Sequence, residues 1–183
     1  MLEKPKKEEN ILFEQKEIPK LSGKALHEAR KFLVDLKNEE IKKEEIGEIT
    51  DPDLLLLQED DMKRLTPEQL YPFGRFLFYK QALKAGLEEG DPDMKGLAED
   101  MISDLTNAIV FLRGVAERRV EHLVEAERKR KAPDFNDKEK NEYIRRVGNE
   151  DYFLLYHRWL QRKFEALINY AEYALHKNKE RIV

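Results

Sequence analysis

Residues 91–131, DPDMKGLAEDMISDLTNAIVFLRGVAERRVEHLVEAERKRK, read as one uninterrupted amphipathic helix. Asp91 is an N-cap residue type, and Pro92 stands at the first helical position, where its missing N–H leaves nothing unsatisfied. Met94, Leu97, Met101, Leu105, Ala108, Leu112, Val115 and Leu123 then recur mostly three and four residues apart. That spacing lays a single apolar stripe along the rod, and the stripe fades towards Arg128, Lys129, Arg130 and Lys131. At 1.5 Å per residue the helix is roughly 60 Å long, about twice the diameter of a small domain. A rod of that length predicts a partner chain to cover it.

Working outward, the same punctuation recurs. Asp51-Pro52 and Thr66-Pro67 also mark helix starts. The first of these helices carries Leu54 to Leu57. The second runs from Pro67 to about Ala85, with Leu70, Phe73, Leu77 and Leu83 inward and Gly86 and Gly90 at its exit. Asn136 with Glu139 is a capping-box pattern opening a short helix to Gly148. A last long helix, about residues 150–177, carries Phe153, Leu154, Trp159, Leu160, Phe164, Leu167, Ala171 and Leu175. Before residue 51 the pattern differs. Residues 1–10 are charged and read as a disordered tail. Ile11 to Ile18 forms a β-branched and aromatic run stopped by Pro19, which suits an edge strand, with helix as the competing reading. Ser22 caps a short helix with Ala25, Leu26, Ala29, Leu33 and Leu36 on one face. Residues 38–50 are almost entirely charged apart from Ile41, Ile46 and Ile49, which suggests a further short strand or a linker. The expected fold is therefore mainly α, a helical bundle with one very long helix plus a small N-terminal α+β appendage. Its domains are a tail at 1–10, a small α+β domain and linker at 11–50, and a helical domain at 51–183.

The 183 residues suffice for a real core. Charged residues make up 39% of them, yet the net charge is only −4, so acid and base are interleaved and the whole chain is no magnet for nucleic acid. The absence of cysteine excludes disulfides, a thiolate nucleophile and cysteine-ligated metals. No apolar signal core follows Met1, and no run approaches the length that crosses a bilayer. Cytoplasmic residence and no membrane association are the expectations.

Chemistry finds little purchase. His27, His122, His157 and His176 form no His-Glu-x-x-His pair. Lys24, Arg119, Leu154 and Tyr173 stand three before them, so the Glu-x-x-His spacing of di-iron bundles is missing. Gly86, Gly90 and Gly96 match no phosphate-cradling loop or dinucleotide fingerprint. Glu59-Asp60-Asp61 and Glu99-Asp100 have carboxylates enough for Mg²⁺, but solvated helix faces account for them in so charged a chain. We expect neither a cofactor nor a catalytic or metal site, and no enzymatic activity. Arg128 to Lys131, with Arg118, Arg119, Arg145, Arg146, Arg162 and Lys163, offers contacts to phosphates, against the plainer reading of cations at a helix C-terminus. Phe153, Tyr156 and Trp159 form an aromatic set suited either to the core or to anchoring a partner.

Residues 51–147 resemble a known pattern. Leu65-Thr66-Pro67-Glu68-Gln69-Leu70-Tyr71 leads into a helix, and Gly90-Asp91 breaks it. The long helix follows with Leu105, Ile109, Leu112 and Arg113, then Arg118, Arg119, Leu123 and Ala126. Phe135-Asn136-Asp137-Lys138-Glu139-Lys140 opens the next helix. The succession is similar to the helical domain of GINS subunits, and the appendage at 11–49 resembles the archaeal-type order in which a small β domain comes first. The sequence departs from the family where Glu121, rather than lysine, stands three after Arg118, and in the length of the helix after Gly148. The resemblance implies a non-catalytic subunit of a hetero-oligomer. Its partners would be a second GINS-type subunit, the MCM replicative helicase, a RecJ-like protein and, in some archaea, primase. In that reading Leu65, Pro67 and Tyr71 fix the lead-in to the helical domain, and Leu105, Ile109 and Leu112 pack its long helix. The alternative is a helical nucleic-acid-binding or virion structural protein that uses the basic C-terminal half.

Overall fold

A computed structural model describes residues 23–89 and 94–181. Seven helices occur among them: α1 Gly23–Glu45, α2 Pro52–Leu56, α3 Glu59–Arg64, α4 Pro67–Glu89, α5 Met94–Lys131, α6 Asp137–Glu150 and α7 Tyr152–Arg181. The described residues contain no strand, so the protein is mainly α. The expected tail at 1–10, the edge strand at 11–18, the Ser22 cap and the Asp91-Pro92 helix start lie outside them.

Local chemistry explains most of the boundaries. Thr66 and Gln69 form a complete capping box at α4, since the Thr66 N–H donates to Gln69 Oε1 at 2.9 Å and the Gln69 N–H to Thr66 Oγ1 at 3.2 Å. Asn136 Oδ1 accepts the Glu139 N–H at 2.9 Å and starts α6. Glu59, Asp60 and Asp61 fill the first turn of α3, where the helix dipole favours carboxylates. Asp51 precedes Pro52 as expected but makes no side-chain cap, because its carboxylate is engaged by Arg162 and Lys163.

Three expectations are corrected. Residues 38–45 are neither strand nor linker but the last two turns of α1. Lys and Glu are good helix formers in any exposed face, and the helix stops only at Gly47, whose φ of 79° is open to glycine at little cost. Nor does the packing break near residue 50. Ala29 and Leu33 of α1 share one core with Leu54, Leu57, Met62, Leu65 and Trp159, so the expected division between 11–50 and 51–183 runs through a packed body. The long helix, finally, is covered within the chain. Its buried face runs through Ala98, Met101, Leu105, Ala108, Ile109, Leu112, Val115 and Ala116 to Val124, and α7 on one side and α4 on the other supply the cover. A 30-residue helix laid along a 38-residue one removes the argument from length for a partner chain.

Leu112 is fully buried at the centre of that seam. Replacement by Ala should destabilise the fold by about 2–5 kcal/mol through lost transfer energy and a residual cavity. Leu112→Asp should abolish folding, because the buried carboxylate has no partner. Urea melts followed by circular dichroism would check both, and a fully helical Leu112→Asp protein with an unchanged midpoint would show that the seam is misplaced.

Candidate functional site

The aromatic run of α7 decides what the molecule can offer a partner. Phe153, Tyr156 and Trp159 are at most 1% exposed, so the reading of them as partner anchors is corrected to core. The spacing of three turns each ring towards the same side of α7. There Trp159 meets Phe73 of α4 with ring centroids 5.9 Å apart and Tyr156 at 6.1 Å, and Tyr156 lies 6.1 Å from Phe153. The Tyr156 hydroxyl donates to the Gln69 carbonyl at 3.2 Å, which seats α7 on the first turn of α4. Leu65, Leu105, Ile109 and Leu112 are buried as expected, while Pro67 and Tyr71 are half-buried beside them. Tyr71 accepts a hydrogen bond from Arg75 Nη1 at 2.9 Å, and Arg75 and Tyr79 both reach Asp104 across the α4–α5 seam. Burial, then the hydrogen bond to Asp104, pushes the Tyr79 phenol up to about 12.

The basic run at the end of α5 is less free than its sequence suggests. Arg128 pairs with Glu125 at 3.4 Å, Arg130 with Glu127 at 2.6 Å, and Lys131 with Glu127 at 3.8 Å and Glu139 at 3.4 Å. Arg128 also lies over the Phe135 ring. Phosphate contacts at Arg128, Lys129, Arg130 and Lys131 would have to displace these acids, and only Lys129 has no recorded pairing. Arg162 and Lys163 are committed as well. Arg158 and Arg162 grip Asp53, and Arg162 and Lys163 grip Asp51, which clasps α2 to α7. Arg119 pairs with Asp151 at 2.7 Å. Arg145 and Arg146 of α6 make no ion pair among the described residues, and Arg146 lies over the Tyr143 ring.

Sequence reasoning missed a groove of about 640 Å³ where α5, α6 and α7 meet. Ala116, Val120, Ile144 and Leu154 give it an apolar lining, Arg113, Glu117 and Glu121 edge it along α5, and a Cβ added at Gly148 would touch nothing within 4 Å. His157 stands in this lining. Burial, with the guanidiniums of Arg113 and Arg158 adding to it, lowers its imidazole to about 4, and its buried Nε2 has no hydrogen-bond partner in the protein. A neutral imidazole with no carboxylate bonded to it lacks the orienting group that a general base uses. No local signal could have found this site, since its α5 wall lies far in the chain from the walls that α6 and α7 supply. Among the described residues, no cluster of His, Asp and Glu is arranged to hold a metal ion.

His157 gives the fold a pH dependence whose sign is fixed. Its pKa is near 4 when folded against an ordinary 6.5, so the unfolded chain binds the proton more readily. Stability is then greatest above 6.5 and falls as pH drops from 6.5 through 4. Melting temperatures recorded across that window should fall less steeply for His157→Gln than for the native chain, and parallel curves would refute the assignment.

Comparison with protein-family models, curated proteins and solved structures finds no match to this chain.

Proposed function

We propose that the chain is a non-catalytic structural adaptor, a GINS-type subunit of the archaeal kind that assembles with a second subunit of that type. The complex would join the MCM helicase to a RecJ-like partner, with primase as a further contact. The observation that carries this reading is the succession of helix starts. Leu65 is buried immediately before the Thr66 capping box of α4, the 38-residue α5 follows, and Asn136 caps the α6 helix beyond it. These are the elements on which the resemblance rests. In this reading the protein acts in the cytoplasm, and its work is done by surfaces rather than by a reaction centre.

Absolute mass by light scattering, on the chain alone and after co-expression with GINS-type subunits from the same genome, tests the proposal. A hetero-oligomer containing two copies of this chain is the expected result. A monomer indifferent to every such subunit would refute it, and steeply salt-dependent DNA binding by that monomer would put the nucleic-acid reading in its place.

A further inference from the structure

We infer that the turn between α1 and α2 is a preformed docking knob. Ile46 and Ile49 are its tip, and it is shaped to enter an apolar cleft rimmed by Lys and Arg on a second protein subunit. The identity of that subunit rests on the GINS-type reading above.

Ile49 is 98% exposed and Ile46 70% exposed, the two most exposed large hydrophobic residues among those described. Scattered apolar residues on a surface are ordinary, but two β-branched side chains three residues apart on one turn are a local concentration. The backbone beneath them is fixed. The Glu48 N–H donates to the Lys43 carbonyl at 2.9 Å and the Gly47 N–H to the Glu44 carbonyl at 3.1 Å, which together with the positive φ of Gly47 make a Schellman close to α1. In that motif the residue after the glycine usually packs back on an apolar residue of the last turn. Here the corresponding pair is Glu48 and Lys43, so the motif closes without drawing either isoleucine inward. The far side of the turn is pinned too. The Asp51 N–H donates to Glu40 Oε2 at 2.8 Å, and the Asp51 carboxylate holds Arg162 at 2.6 Å and Lys163 at 3.7 Å. An apolar tip already held in one conformation loses little entropy when it is buried.

Charge decides the occupant. Glu44, Glu45 and Glu48 flank the tip without an ion pair among the described residues, whereas the nearby Lys43 is held by Glu40, which leaves Lys42 as the local cation. An acidic collar is repelled by nucleic-acid phosphates and by anionic lipid. It also opposes pairing of two such knobs across a two-fold axis. Its complement is a cationic rim around an apolar floor, and that is the surface expected on the second subunit.

Co-expression with the GINS-type second subunit tests this, using the full chain with Ile49→Ser alone and with Ile46→Ser and Ile49→Ser together. Both variants should keep native helicity and melting temperature, since so little of either side chain is buried. The double variant should bind the second subunit about tenfold or more weakly, and the single variant by an intermediate factor. A second variant, Glu44→Gln with Glu45→Gln and Glu48→Gln, should flatten the salt dependence of association. Wild-type chain that forms no complex would overturn both the adaptor reading and the knob. A complex that the serine variants form as tightly as wild type would overturn the knob alone, and an unchanged salt dependence in the glutamine variant would overturn the cationic rim.

Discussion

Everything in this molecule is arranged around the contact of α7 with α4 at Trp159. The indole is sealed between Phe73 and Tyr156, and its Nε1 finds no hydrogen-bond partner in the protein. Leaving a buried donor unmade costs about 1–3 kcal/mol, and what the ring supplies in return is a large apolar surface packed against two aromatic neighbours. Along the same helix Phe153, Tyr156 and Leu160 are fully buried. The 38-residue helix is then buried by its own chain over the stretch from Ala98 to Ala116.

Ion pairs act on this scaffold as selectors of position more than as a source of stability. Most of the arginines are partly exposed, and pairs of that kind contribute little individually. Asp53 is different, because its carboxylate is 8% exposed and two guanidiniums converge on it from one turn of α7. Any other register of α2 along α7 would bury that carboxylate without a partner, which is strongly unfavourable. Glu40 plays a comparable part at the end of α1. Burial works against its charge, but the Asp51 N–H and Lys43 outweigh it and hold its pKa below the usual carboxylate value.

The helices were legible in the sequence wherever the determinants are local. The Thr66 and Asn136 caps, and most inward positions of α4, α5 and α7, follow from spacing and side-chain type, although Leu77, Leu97, Leu123, Leu167 and Leu175 are only half-buried and Phe76 and Tyr79 join the core beyond the stripe that the spacing marks. Legibility fails where the deciding contact is remote. Residues 38–45 carry too few apolar side chains for a period to emerge, so nothing local separated a helix from a linker there. The aromatic set of α7 was ambiguous between core and surface for the same reason: Phe73, which covers it, lies 86 positions away from Trp159. The groove around His157 is assembled from three helices and has no signature on any one of them. The basic run at 128–131 misled in the opposite sense, because composition counts its cations without counting the glutamates one turn away.

Asp151 joins two of these threads. One carboxylate oxygen accepts the Phe153 and Leu154 N–H groups at 3.1 and 3.2 Å, and the other takes Arg119 Nη2 at 2.7 Å, with the guanidinium also over the Tyr152 ring. The rotamer that closes the head of α7 is thus held from α5, by a residue 32 positions earlier. Sequence drift at position 119 is therefore felt first as fraying of a different helix, and α6, joined to α7 through this one residue, cannot tilt without opening the turn on which Phe153 is mounted.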